Sequence, residues 1–273
     1  MSAAKRLGAA FKDAPILLLA QSSRYVIISD CHRGTGKAGD NFLKNEYLYL
    51  AALDFYFRKG FTYLELGDGD ELWENRSIAR IRELHSASFE MMNRFFLEGR
   101  LYELYGNHDM VKKKPSFSER RIYSGMILKD CEQKRDIYLT HGHQADFLNS
   151  SLWRFSRFLV RYVWRPLEAL GIPDPTSASK NNTRKEKSER TLTRWAAENN
   201  CVLITGHTHR PMIGTKDAPY CNSGSCVHPG DITCIEIENR CLTLVKWSVK
   251  ARHDFTLYTA REILGKTVCL DEM

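Results

Sequence analysis

The chain has 273 residues, 43% of them hydrophobic and 27% charged, with a formal net charge of +7. That composition excludes an intrinsically disordered polymer and can bury a sizeable core, as one α/β domain with an insertion or as two small domains. No apolar run approaches the ~20 residues of a membrane-spanning helix, and the positive balance favours anionic partners (phosphates, acidic lipid surfaces or nucleic acid) without choosing among them.

Residues 15–20 form the first apolar run. It lies behind Lys12 and Asp13 and is too short for a signal-peptide core, so a strand or turn is expected rather than a targeting signal. Residues 24–29 read as a strand running into Asp30, Cys31 and His32. Asp40 can cap a helix over 41–59, where Leu43, Tyr47, Leu50, Leu53 and Phe57 make an apolar stripe that ends at Gly60. Residues 61–66 read as a strand leading to Gly67 and Asp68, and a second helix is expected over 76–98, stopped by Gly99. Three further strands, 101–105, 136–140 and 201–205, lead into Gly106-Asn107-His108-Asp109, His141-Gly142-His143 and Gly206-His207-Thr208-His209. This alternation implies a layered α/β domain. Ligands of an open α/β sheet collect at the carboxyl ends of its strands, so one rim is expected to gather all five clusters.

Residues 147–200 have another character and are expected to form an inserted helical cap near that rim. Leu152, Trp153, Phe155, Phe158, Leu159, Tyr162 and Val163 fall at helical spacing, interleaved with Arg154, Arg157, Arg161 and Arg165. Gly171-Ile172-Pro173-Asp174-Pro175 breaks the pattern, and a basic stretch leads to a helix ending near Asn200. The cap's aromatics can dock it on the main domain, line an acyl or nucleoside pocket, or lie on an anionic membrane. Residues 233–238 and 242–249 then read as an antiparallel hairpin, expected to build a second sheet packed on the first. None of the eight cysteines forms a C-x-x-C pair, so mostly reduced thiols and a cytoplasmic protein are expected.

Six of the nine histidines lie in the five clusters, beside Asp30, Asp68 and Asn107. Asp30 and His32 can grip one ion from a strand end. Asp68, after a strand and a glycine, can bridge two. Taken singly it would be an ordinary turn aspartate, and His141 a capping or core histidine. Asn107 offers a neutral amide oxygen while the adjacent His108 stays free for proton transfer, and His207 and His209 can ligate neighbouring ions. Together the clusters describe a dinuclear metal site. Arg33 is a candidate phosphate clamp, as is Arg76, because a guanidinium fork fits phosphate oxygens. His143 is a candidate substrate contact. His228 and the Asn222-Ser223-Gly224-Ser225 loop can reach the same rim, whereas His85 and His253 show no such context.

The set Asp30/His32, Gly67-Asp68, Gly106-Asn107-His108-Asp109, His141 and Gly206-His207-Thr208-His209 resembles the calcineurin-like metallophosphoesterase superfamily. The resemblance implies a four-layer α/β/β/α sandwich with one metal held by Asp30, His32, Asp68 and His209 and the other by Asp68, Asn107, His141 and His207. It implies two divalent ions, manganese or iron with zinc also allowed, and hydrolysis of a phosphomonoester, phosphodiester or pyrophosphate by a metal-bridging hydroxide. His108 would be the general acid, held by Asp109. Gly67-Asp68-x-x-Glu71-x-Trp73 and His207-Thr208-His209-Arg210-Pro211 further resemble the UDP-2,3-diacylglucosamine pyrophosphatases. That group usually has arginine at the place of His108 and His-Gly-Asp where this chain has His141-Gly142-His143. The implied partner is a phosphorylated small molecule or nucleotide sugar, with peripheral contact at the inner face of a membrane through the cap. A nuclease of the same superfamily and a non-catalytic metal-binding scaffold are the alternatives, and no aromatic-basic groove for nucleic acid is evident.

Overall fold

The structure is a computed structural model that describes residues 1–37, 40–114, 120–164 and 182–273, the side chain of residue 148 excepted. Helix α1 (Ala3–Ala10) and strand β1 (Ile16–Leu19) precede β2 (Arg24–Ile28), α2 (Glu46–Arg58), β3 (Thr62–Leu66), α3 (Ile78–Leu84), α4 (Ser86–Leu97) and β4 (Leu101–Leu104). Next come β5 (Ile122–Tyr123), β6 (Gly125–Asp130), β7 (Ile137–Thr140), α5 (Phe147–Ser150), α6 (Trp153–Leu159) and a π-helical segment, Val160–Trp164. The chain continues with α7 (Asn182–Glu198), β8 (Val202–Thr205), β9 (Tyr220–Asn222), β10 (Asp231–Glu238), β11 (Cys241–Ala251), β12 (Leu257–Ile263) and β13 (Val268–Cys269).

Successive strand residues point to opposite faces, and here both faces are apolar. Ile27, Leu64, Leu66 and Leu104 meet Leu128, Leu139, Val202 and Ile204 in a core between two sheets. On the outer face of the first sheet, Val26, Ile28 and Tyr63 pack against Tyr49 and Leu53 of α2 and Met92 and Phe95 of α4. On the outer face of the second, Leu203 and Tyr220 pack against Leu7 of α1 and Leu192 and Trp195 of α7. The result is an α/β/β/α sandwich.

The sheets run β12-β11-β10-β2-β3-β4-β5, with β13 on β11, and β1-β6-β7-β8-β9. Two expectations change here. The clusters after β2, β3 and β4 leave the first sheet, but those after β7 and β8 leave the second, so two sheets supply the rim. The late hairpin builds no second sheet; β10 pairs antiparallel with β2, placing Ile235 opposite Ile27. The reason is burial on both sides of β10, with Ile235 and Ile237 in the inter-sheet core and Ile232 and Cys234 in the helix-facing one. A strand apolar on both faces belongs inside a covered sheet.

The helices also differ from their sequence pattern. Asp40 accepts from the amides of Gly36 and Leu43 at 2.9 and 3.1 Å, so its carboxylate caps a preceding turn. Helix α2 begins only after Asn45 and buries Leu48, Tyr49, Ala52, Leu53 and Tyr56, while Leu43 and Tyr47 stay exposed. The tyrosines can go inside because their hydroxyls find partners, Tyr56 with Glu236 at 2.6 Å and Tyr49 with Tyr63 at 3.1 Å. The expected helix over 76–98 divides at His85, whose buried ring lies 3.0 Å from Glu46 and 3.2 Å from Asp40.

In the insertion, Arg165 and the Gly171–Pro175 break lie outside the described residues. Phe155, Phe158 and Tyr162 are 56, 55 and 51% exposed, so they bury little of this segment on the domain, although Tyr162 Oη accepts from Arg76 at 2.6 Å. Arg161 ties it down, donating to the carbonyls of Trp73, Leu72 and Asn75 at 2.6, 2.8 and 3.3 Å. Cys241 and Cys269 are joined as a disulfide, and the other six cysteines are free thiols. Among the described residues no helix is long and apolar enough to cross a membrane.

Candidate metal centre and catalytic site

Five residues of the motif loops hold a positive φ that only glycine adopts freely: Asp30, His32, Asp68, His207 and His209. Such backbone costs on the order of 1–3 kcal/mol each and persists only where surrounding contacts impose it. Those contacts lace the loops together. Asp30 N donates to Gly67 O at 3.1 Å and His32 N to Asp68 O at 2.8 Å, joining the first two loops. His207 N donates to Asp30 Oδ2 at 2.9 Å, joining the two sheets' loops, and Gly206 N donates to His141 O at 3.1 Å, joining the two loops of the second sheet. Close approach demands glycine at two points. A Cβ at Gly106 would stand 2.1 Å from Asp68 Oδ1, and one at Gly206 2.2 Å from Asp30 Oδ2.

The folding of these loops brings the donor atoms of Asp30, His32 and His209 within 4.8 Å of one another, and those of Asp68, His141 and His207 likewise. Asp68 lies between the groups, its Oδ2 3.1 Å from His141 Nε2 and 3.8 Å from His32 Nε2. His141 Nδ1 lies 2.8 Å from Leu66 O, which fixes the ring with Nε2 turned inward. Asn107 Oδ1 and His207 Nε2 are buried with no hydrogen-bond partner, and His141 Nε2 has only the Asp68 carboxylate, 3.1 Å away, beside it. Buried polar atoms seldom go unpaired; an amide oxygen and an imidazole nitrogen left so, beside the carboxylates of Asp30 and Asp68, fit divalent cations.

Charge is redistributed accordingly. Burial and the neighbouring His141 push His207 down to about 3, and burial also lowers His209, so both rings are neutral bases suited to ligation. Burial opposes the charge on His141, but Asp68 and Asp30 outweigh it and raise that ring to about 9. Burial likewise works against ionised Asp30, yet His209 and His141 hold it well below the ordinary carboxylate range.

His108 lies at the lip of this cluster. Its Nδ1 is 2.9 Å from Glu71 Oε1 and 2.7 Å from Oε2, and its ring stacks on Trp73 with centroids 4.3 Å apart. Glu71 Oε2 is also 2.9 Å from His32 Nδ1. Asp109 does not hold His108. Its Oδ1 accepts from Gly106 N at 2.7 Å and its Oδ2 from Gly69 N at 3.2 Å and Lys112 Nζ at 2.9 Å. A short carboxylate folds readily onto nearby backbone amides, and Glu71, from the next loop, meets the imidazole. Glu71 and Trp73 carry no assigned role in the sequence, although both stand in the quoted Gly67–Trp73 motif.

Arg33 is not a substrate clamp. It is fully buried, with Nε 2.8 Å from Asp70 and Nη1 and Nη2 each 2.9 Å from Glu65, so its fork is spent inside the fold. The sequence signal was Glu65 itself, an acid in the middle of an apolar strand that needs a buried cation. Arg76 is exposed and donates to Tyr162 Oη at 2.6 Å. His143 is buried 5.5 Å from the His141 ring, its Nδ1 unpartnered, outside all three groups of converging donors, the third being His32, Glu71 and His108. His228 reaches the rim at His209 O, 3.3 Å away, and Asn222 donates to Gly206 O at 2.6 Å.

Residues 23–211 match the calcineurin-like phosphoesterase family. The chain belongs to that family. Members of the family usually bind divalent metals, and the donor groups are candidate ligands for them. No curated relative matches the chain. Among solved structures, it is similar to Vacuolar Protein Sorting 29 from Cryptosporidium parvum, at 16% identity and TM-score 0.41, over 90% of this chain and 100% of that one. It is also similar to Chaetomium thermophilum Vps29, at 13% identity and TM-score 0.46, over 92% and 98% of the two chains. The same fungal protein complexed with a RaPID-derived cyclic peptide matches at 12% identity and TM-score 0.42, again over 92% and 98%.

Proposed function

We propose that this family member is a phosphoesterase that hydrolyses a phosphomonoester, phosphodiester or pyrophosphate with two divalent cations. The observation that carries the reading is the convergence of six acid and imidazole donors in two groups, from loops of two sheets, with Asn107 Oδ1 and His207 Nε2 buried and unpartnered. Asp30, His32, Asp68 and His209 would hold one cation, and Asp68, Asn107, His141 and His207 the other. Bound there, such ions supply positive charge against phosphate oxygens and make water acidic enough to yield a nucleophile near neutral pH. The mixed nitrogen and oxygen donors suit manganese, iron or zinc.

The chain's own residues do the rest. His108 gives its Nε2 proton to the departing oxygen, since Nδ1 is engaged by Glu71. Glu71 holds His108 and His32 at once, so the acid and one metal ligand keep a fixed separation. Trp73 covers one face of the His108 ring and keeps water from it.

The test is hydrolysis of bis-p-nitrophenyl phosphate, then of a panel of monoesters, diesters and nucleotide-diphosphate sugars, with Mn²⁺ added to chelator-treated protein. Metal-dependent turnover that Asp68→Asn abolishes, with bound metal falling in elemental analysis, supports the reading. Two bound metals with no turnover on any substrate would sink it and leave a metal-binding scaffold.

A further inference from the structure

With Arg33 spent inside the fold, other cations are gathered beside residues 74–77, just past Glu71. There a cavity of about 980 Å³ is lined by Thr35, Lys37, Asn75, Arg76, Arg80 and Arg161, among others. Four of its lining side chains are basic, and two, Glu74 and Glu83, are acidic. Lys37 and Arg80 are exposed, so their charged ends can move to a ligand.

The cavity and the proposed acid share one stretch of chain. Thr35 is three residues beyond His32, and its hydroxyl donates to Asn75 Oδ1 at 2.8 Å, tying the first motif loop to residues 71–75. Arg161 holds the carbonyls of Leu72, Trp73 and Asn75, so the insertion forms a wall fixed to that same stretch. Trp73, within it, stacks on His108. The proposed acid and the cavity are therefore linked through residues 71–76, with Glu71 on His108 and Asn75 and Arg76 in the cavity lining.

We propose that the cavity is a subsite for a second phosphate group, carried by the leaving portion of the substrate and held by Lys37, Arg76 and Arg80. The inference rests on the phosphoesterase reading and narrows its substrate class. Water's oxygen joins the attacked phosphorus, the bond from that phosphorus to the leaving oxygen breaks, and the second phosphate leaves with the departing fragment. A guanidinium fork matches phosphate geometry in two places at once, whereas a plain alkyl or aryl leaving group would leave these charges unmatched.

The experiment compares ADP-ribose, whose leaving fragment carries a phosphate, with bis-p-nitrophenyl phosphate, whose fragment carries none, in wild-type and Lys37→Ala/Arg80→Ala protein. The ratio of kcat/KM for the two substrates should fall at least tenfold in the variant. In parallel, ADP is titrated into chelator-treated protein by calorimetry, and its Kd should rise at least fivefold in the variant and with added salt. An unchanged ratio in an active enzyme, or ADP binding indifferent to both substitutions, overturns the subsite. Absence of turnover on every substrate together with charge-dependent ADP binding sinks the hydrolase reading but keeps the phosphate subsite.

Discussion

The indole of Trp73 lies against the imidazole of His108 with planes 20° from parallel and centroids 4.3 Å apart. Neither ring can turn without the other, and Glu71 engages the edge of His108 that Trp73 leaves open. Stacked rings attract by about 0.5–1.5 kcal/mol beyond area burial, which corresponds to a rate effect of a few-fold up to about tenfold if orientation is what they supply. Trp73→Leu should therefore slow hydrolysis of a poor leaving group such as an alkyl phosphate by about that factor. A p-nitrophenyl ester, which needs little proton assistance, should be nearly unaffected. Equal losses on both would show a structural role only.

His108→Ala should lower turnover of the alkyl substrate by about 10²–10⁴-fold, with metal content unchanged by elemental analysis, because His108 belongs to neither of the two groups proposed to hold ions. Full activity would remove it from the mechanism.

Glu71→Gln keeps the shape of the side chain but removes the charge shared by His32 and His108. Partners that orient ligands and acids typically matter by about 10–100-fold. The expected loss is in kcat more than in KM. Asp109→Asn, by contrast, should act through stability, since its carboxylate serves Gly106, Gly69 and Lys112. If Asp109→Asn reduced kcat in stable protein while Glu71→Gln did not, the two assignments would be reversed.

Arg33→Met removes one partner of a buried charge cluster and leaves Glu65 without its cation, while Asp70 keeps Lys112 at 2.6 Å. Such changes cost about 3–5 kcal/mol, measurable by urea denaturation. KM of the folded fraction should not change; a raised KM at unchanged stability would restore Arg33 to the substrate.

His85 makes stability depend on pH away from the site. Burial works against its charge, but Asp40 and Glu46 outweigh burial and raise it to about 9. An unfolded histidine titrates near 6.5, so this stabilisation is complete below about pH 6.5 and disappears as pH rises through about 9. Asp40 and Glu46 are held below their ordinary values, burial being outweighed by the hydrogen bonds from His85, so their share is lost only in acid. The melting temperature should form a plateau from about pH 4.5 to 6.5 and then decline toward pH 9. His85→Leu should lower the plateau and make that decline shallower; an unchanged profile would contradict the pairing.

The sequence by itself determined which side chains stand at strand ends. Asp30, His32, Asp68, Asn107, His141, His207 and His209 each follow a short apolar run, and that placement is local, set by alternation and by the glycines beside them. The layered α/β architecture was legible for the same reason. Only the tertiary structure decided which sheet each strand joins, because β10 is apolar on both faces and pairing with β2 buries both. It also decided who partners whom: Arg33 with Glu65, Glu71 with both His32 and His108, His85 with Asp40. These contacts cross 32 to 45 positions of chain. A buried charge takes whichever opposite charge packing brings within reach, and spacing along the chain carries no record of that choice.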